Sequence, residues 1–202
     1  WKSGQGPRRY VPFDVSLGIV ETTAASLQAD YPWLHIHGVI GDFERYLDRI
    51  PAAIGRRLVL FLGSTLGNLD PASRLAFLIQ VGRLLGSGDR LLLGVDLVKD
   101  VSVLEAAYND AEGVTAEFNR NILRVINRAL EADFFPDAFQ HRAFYNQHTD
   151  RIEMHLVSNS KQAVHLEKLG ITVDIGPGAT LWTESSYKFT RESTAAMLKE
   201  AG

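Results

Sequence analysis

The chain has 202 residues, of which 46% are hydrophobic and 22% charged, a balance that suits one α/β domain with a sizeable insertion and excludes a disordered chain. A net charge of −3 excludes a general nucleic-acid footprint, and the longest apolar runs, about five residues, fall far short of the roughly 20 that span a bilayer. With no cysteine, disulfides and thiolate metal sites are ruled out; no secretory segment is visible, and the composition fits a cytoplasmic protein.

In chain order, "RRYVPFDVS" (8–16) predicts a strand that ends at Asp14. Ser16 stands where an N-cap belongs, ahead of apolar positions Leu17, Val20, Ala24 and Leu27 at helical spacing. "WLHIHGVIGDF" (33–43) predicts a second strand, with a short helix from Glu44 to Ile50. Leu58 to Leu62 predicts a third strand, apolar throughout and therefore expected to be covered on both faces. Asp70-Pro71 reads as an N-cap and first-turn proline, opening a helix that "GSGD" ends. "RLLLGVDL" (90–97) predicts a fourth strand. This alternation of strand and helix argues for an open parallel sheet with crossover helices.

After Lys99 the rhythm changes. Helices are predicted over 102–111 and 115–132, the charges of the second facing solvent around Asn119 and Arg120. "FQHRAFYNQH" and "RIEMHLVSNS" predict a hairpin, "GITVDIG" and "LWTESSYKF" two further strands, and Thr190 a cap for the helix "RESTAAMLKEA". The domain expectation is a core over residues 1–98, an α+β substrate-binding insertion over 99–188, and a return helix over 189–202.

Ligands of an open parallel sheet bind beyond the carboxyl ends of its strands, and three strand ends here are polar. Asp14 can accept two hydrogen bonds from a ribose diol, each worth about 1.5–3 kcal/mol when shielded from water. Asp42 with Phe43 suits an adenine, the carboxylate taking the exocyclic amine while the ring packs on the base. The bland alternative is that both acids only start turns. Neither G-x-G-x-x-G nor G-x-x-x-x-G-K-[ST] occurs, which disfavours a nucleotide di- or triphosphate and leaves a phosphate-free nucleoside cofactor such as S-adenosylmethionine. His35 and His37 share one face but lack a third ligand at a telling spacing, so no metal is expected. His141, His148, His155 and His165 are assigned no chemistry.

"RRYVPFDVS", "GDFERYL", "FLGSTLGNLDP", "LLLGVDLVKD", "AAYNDAEGVTAEFNRNIL", "RIEMHLVSNS" and "TESSYKF", in this order, closely resemble the L-histidine N-alpha-methyltransferases of ergothioneine biosynthesis. The resemblance implies a Rossmann-like methyltransferase fold and transfer of methyl groups from S-adenosylmethionine to the α-amino group of L-histidine, giving trimethylhistidine (hercynine). It implies that Asp14 holds the ribose, Asp42 and Phe43 the adenine, and Asn68 the substrate's amino-acid head group. Tyr108 would bind the carboxylate, Phe118 and Met154 line the pocket, and Glu184 with Ser186 hydrogen-bond the imidazole. No residue is assigned as acid, base or nucleophile. Polar readout of a ring by such a pair can discriminate by up to about 10⁴–10⁵.

Methyltransferases of this kind begin their sheet with a central strand and a Gly-rich loop. Here only "WKSGQGPRR" precedes Tyr10, a stretch resembling the linker into the family's second strand. The expectation is therefore a chain truncated at both ends, lacking the central first strand, an upstream tyrosine of the histidine site and the terminal hairpin. Such a loss exposes strand edges and an apolar seam, so the fragment is expected to self-associate, rearrange its sheet or belong to a longer polypeptide, and to bind S-adenosylmethionine weakly by itself. Two alternatives stay open: methylation of an indole-bearing amino acid, and a non-catalytic module.

Overall fold

Proline cannot donate to a strand ladder, and Pro12 divides the first predicted strand in two. A computed structural model describes residues 8–202; the linker reading of residues 1–9 lies, for 1–7, outside the described residues. β1 (Arg9–Tyr10) and β2 (Phe13–Asp14) pair in parallel with β3 (His35–Ile36) and β4 (Val39–Ile40) respectively. Between them runs α1 (Leu17–Asp30), whose N-cap Ser16 accepts from the Ile19 amide at 3.4 Å. It buries Val20 against Gly38, where a β-carbon would lie 2.6 Å from a Val20 methyl. The helix predicted over 44–50 shrinks to one 3₁₀ turn, Leu47–Arg49. Ile50 precedes Pro51, which drives it extended (ψ 122°) and stops propagation.

β5 (Leu58–Phe61) and β6 (Arg90–Leu93) form another pair. The Arg90 amide donates to Arg57 at 3.0 Å and the Gly94 amide to Phe61 at 2.9 Å, so partners advance together and the pair is parallel. Between them in sequence, α2 (Pro71–Leu84) is capped by Asp70, which accepts from the Ala72 amide at 2.9 Å, and it buries Phe77, Leu78 and Val81. The continuous apolarity of β5 does not mean cover on both faces. Leu58 and Leu60 are 59% and 51% exposed, because among the described residues no layer covers that side of the pair.

Contacts divide the chain into two compact units. One comprises residues up to Val59, Ser73–Leu91 and Glu200–Gly202; the other comprises Leu60–Ala72 and Leu92–Lys199. The second unit contains α3 (Val101–Tyr108), α4 (Val114–Leu130), β7 (Phe139–Asn146), β8 (Arg151–Ser158), β9 (Gln162–Leu166), β10 (Ile171–Ile175), β11 (Thr180–Tyr187) and all but the last residue of α5 (Arg191–Glu200). β11, β8 and β7 form an antiparallel sheet in that order, and β9 pairs with β10. β9 escapes sequence reading because Val164 and Leu166 alone carry its alternation.

One face of the three-stranded sheet meets α3 and α4 through two apolar clusters. The first joins Leu104, Ala143, Ile152 and Met154; the second joins Leu123, Phe139, Leu156, Val164, Leu166 and Ile175. Along β8, Met154 stands opposite Ala143 on β7 and Glu184 on β11. A bulge in β11 separates Trp182, opposite His155, from Glu184, opposite Met154. Beyond β11, Phe189 donates to Asp96 O at 2.9 Å and accepts from the Val98 amide at 2.8 Å, which ties the chain after β6 to the chain after β11.

Charged side chains near the start of α4 face outward, Glu117 at 55% and Arg124 at 41% exposure, whereas the uncharged Asn119 between them is 3% exposed. Its amide donates to His141 Nδ1 at 2.9 Å and to the His155 carbonyl at 3.2 Å. His141 Nε2 in turn meets the Tyr108 carbonyl at 2.8 Å; a carbonyl only accepts, so the proton sits on Nε2. Asn119 and Leu123 share the inward stripe of α4, and a buried amide is tolerated there because β7 and β8 satisfy it.

Candidate functional site

In the first unit, Asp14 and Asp42 stand at the tips of neighbouring paired strands. Each spends one oxygen on its own turn: Asp14 Oδ1 accepts from the Ser16 amide at 2.8 Å and Asp42 Oδ1 from the Glu44 amide at 2.9 Å. Asp42 also meets Arg45 at 3.5 Å, a solvent-exposed pair of little energetic weight. Phe43 lies edge-on to Phe77, ring centres 5.4 Å apart.

The second unit answers why a strand should end in "GSTLGN". Gly63 and Ser64 turn the chain through positive φ (78° and 60°), and a 3₁₀ turn, Thr65–Asn68, follows. Leu66 plugs the core at 0% exposure. Gly67 then lies flat on β11: a β-carbon there would sit 2.7 Å from the Tyr187 carbonyl oxygen. The loop is small because it packs backbone to backbone, and that packing delivers Asn68 to the mouth of an open hollow of about 300 Å³, lined also by Trp182, Thr183, Glu184 and Ser185.

Glu184 reaches this hollow with no hydrogen-bond partner for its carboxyl among the described residues; burial pushes its pKa above the ordinary value, and the Lys188 charge acts in the opposite sense. Ser186, on the same side of β11, is 5% exposed. Tyr108, the last residue of α3, donates its hydroxyl to Ser186 Oγ at 2.9 Å. Lys188 donates to Ser186 Oγ at 2.8 Å and to the Tyr108 hydroxyl at 2.9 Å, and pairs with Asp96 at 3.2 Å. Burial alone would raise the Asp96 pKa, but hydrogen bonds from Lys99 and Lys188 outweigh it and hold the acid below its ordinary value.

Asn68 and Glu184 thus share a hollow, Tyr108 and Ser186 share a hydrogen bond, and Met154, 2% exposed, backs Glu184 across the strand. Phe118 lies outside this group, 66% exposed on α4. On the opposite face of the sheet the His155 ring is stacked between Phe144 and Trp182, with centres 5.3 and 5.9 Å away. Arg151 covers Trp182 at 4.4 Å. Glu153 accepts from Arg151 at 2.7 Å and meets His155 Nε2 at 3.3 Å, while His155 Nδ1 is buried with no hydrogen-bond partner among the described residues.

Sequence reasoning passed over Lys188 and Asp96. Both carried a signal: Lys188 continues the period-two run Glu184, Ser186, and Asp96 is an acid at a strand tip, like Asp14. Among the described residues no group of acids and histidines could hold a metal, and no helix is long and apolar enough to cross a membrane.

Comparison with known proteins bears on the whole chain. It is 51% identical over 195 residues to histidine N-alpha-methyltransferase from Mycolicibacterium smegmatis and 50% identical over the same length to that of Mycobacterium tuberculosis, covering 96% of this chain and 60% of each relative. Ergothioneine biosynthesis protein 1 of Neurospora crassa is 28% identical over 176 residues, which are 79% of this chain and 20% of that protein. The profile of the histidine-specific, S-adenosylmethionine-dependent methyltransferases matches residues 2–202, and the chain belongs to that family.

Proposed function

We propose that this chain forms part of an enzyme that transfers methyl groups from S-adenosylmethionine to the α-amino group of L-histidine, yielding trimethylhistidine for ergothioneine biosynthesis. The observation that carries this is the hollow shared by Asn68 and Glu184, with Ser186 two residues along the same strand. At about 300 Å³ the hollow suits a small molecule rather than a macromolecule. The relatives' activity suggests the substrate, and the residue chemistry agrees with it.

A neutral imidazole offers one N–H and one bare nitrogen. Glu184 supplies an acceptor with no competing partner, and Ser186 supplies a hydroxyl. Asn68 offers donor and acceptor on one amide, so it can hold an amine before and after methylation. We assign an apolar wall to Met154, which backs Glu184 across the strand. The parallel strand pairs of the first unit and of β5 with β6 support a Rossmann-like methyltransferase sheet. In that unit, Asp14 is exposed and only its Oδ1 is engaged, which leaves an oxygen for a ribose hydroxyl, and Asp42 and Phe43 suit an adenine; these residues fit an adenosyl group. S-adenosylmethionine, when bound, supplies a methyl group that a neutral amine can accept, so the protein's work is alignment, worth roughly 7–11 kcal/mol in favourable cases.

The test is methylation by the whole protein of a panel of amino acids with isotopically labelled donor. Label in trimethylated histidine is the expected result. Absence of transfer, or transfer to tryptophan in preference to histidine, overturns the reading.

A further inference from the structure

We infer that Lys188, anchored by Asp96, is a positioning residue that fixes the Ser186 hydroxyl as a hydrogen-bond donor, and so admits only a ring presenting an unprotonated nitrogen there. This deepens the proposed function and rests on the reading of Ser186 as a ring contact.

The argument is a count of protons and lone pairs. A lysine ammonium has three protons and accepts nothing. The Lys188 side chain has 0% exposure, so no water competes for them. Three acceptors stand within reach: Ser186 Oγ at 2.8 Å, the Tyr108 hydroxyl at 2.9 Å and Asp96 Oδ2 at 3.2 Å. Each takes one proton. The Tyr108 and Ser186 oxygens are themselves 2.9 Å apart, so one of these hydroxyls donates to the other. A phenol, with pKa near 10, is far more acidic than an alkyl hydroxyl and is the better donor, which sets the direction from Tyr108 to Ser186. Ser186 Oγ then accepts twice, its lone pairs are filled, and its own proton is the one left to point elsewhere.

The backbone holds this arrangement in register. Phe189 pairs through both its amide and carbonyl with Asp96 and Val98, and the Lys188 amide donates to the Asp150 carbonyl at 2.7 Å. The ammonium also lies 4.8 Å from the Tyr108 ring centre, which disfavours any motion that would free Ser186. The obligate donor stands two residues from Glu184, an acceptor when ionised. Donor and acceptor together specify an azole with one N–H and one bare nitrogen. A pyrrole-type ring or an imidazolium sets N–H against the Ser186 proton.

The experiment compares kcat/KM for L-histidine with that for 2- and 3-pyrrolylalanine, in which one ring nitrogen is C–H and the other is N–H. It uses the whole protein and its Lys188→Met and Ser186→Ala variants. In the unaltered protein histidine is favoured, and Lys188→Met lowers that preference by about tenfold or more, since the freed hydroxyl can now accept. In the Ser186→Ala background, Lys188→Met changes the preference no further. A preference unchanged by Lys188→Met while both rates fall together means a merely structural role and overturns the inference. Should Lys188→Met not fold, ¹⁵N spectra of labelled histidine on the unaltered protein decide: a neutral ring in a single tautomer is expected, and a bound imidazolium overturns the inference. If the unaltered protein methylates no histidine, it is the proposed function that fails; if it does and the preference stays fixed, only this inference fails.

Discussion

The two units hold their candidate residues by opposite means. In the first, Asp14 and Asp42 are fixed by amides two residues away, at the tips of two-residue strands. In the second, Tyr108 reaches Ser186 across 78 residues and Lys188 reaches Tyr108 across 80, inside a packed antiparallel sheet. A locally held carboxylate can be altered with little consequence for the fold, and a ligand can claim it. A buried network is coupled, so each member's loss is felt by the others.

That contrast can be broken most sharply at Asp96. Asp96→Asn leaves the fully buried Lys188 ammonium without its counter-charge, and we expect a loss of about 3 kcal/mol. This is the low end for breaking a buried pair, because the Asp96 side chain is itself 30% exposed. Denaturant titration measures it, and a loss below about 1 kcal/mol would place the second unit on the same footing as the first. Gly67→Ala drives a methyl into the Tyr187 carbonyl, 2.7 Å away. A loss of about 1–3 kcal/mol is expected from such overpacking, together with weaker histidine binding as Asn68 is displaced. Unchanged affinity in calorimetry would show that the loop does not position Asn68.

Glu184→Gln sharpens the comparison by pH. Burial raises the Glu184 pKa above 4.5, so the neutral acid is the form the fold prefers. Its stabilising contribution is present below pH 4.5 and is lost as pH rises through the elevated value. The glutamine variant should therefore be the more stable at pH 7, with the difference closing on acidification. Denaturation midpoints across pH 4–8 check this, and a variant less stable at pH 7 contradicts it. The smallest expected effect on folding is at Asp14: Asp14→Asn should shift stability by no more than about 0.5 kcal/mol. It should nevertheless weaken S-adenosylmethionine binding roughly tenfold or more, as loss of a charge-assisted hydrogen bond would. Unchanged affinity returns Asp14 to the role of a turn residue.

What could be read in the sequence follows the same division. Caps at Ser16, Asp70 and Thr190 are local chemistry, and all are seen: the Thr190 hydroxyl accepts from the Ser193 amide at 3.0 Å. The β7–β8 hairpin was legible because alternation and a polar turn lie within one short stretch. The burial of Asn119 was not legible, because nothing near it in sequence announces His141 or the His155 carbonyl. The expected cover over β5 failed for a related reason, since an apolar run reports what a strand could bury and not what lies over it. Asn68, Glu184 and Ser186 were named through a family resemblance. Lys188 and Asp96 were not, although strand periodicity put Lys188 on the Ser186 face; their meaning exists only as a contact between distant segments.

The bulge at Thr183 has a consequence for how this protein could change. Upstream of it Leu181 stands opposite Leu156, on the helix side of the sheet; downstream Glu184 and Ser186 stand opposite Met154 and Ile152, on that same side. One supernumerary residue therefore switches odd positions for even ones and lets Trp182 serve the His155 stack without turning the polar run outward. Deleting that residue would restore an unbroken ladder with Glu184 still opposite Met154, whereas flattening the bulge with the residue kept would set Thr183 opposite Met154 and invert the parity of everything beyond it. The proposed ring preference is thus a matter of strand register as well as of side-chain identity, and a slip of one residue would remove it with every polar residue still in place.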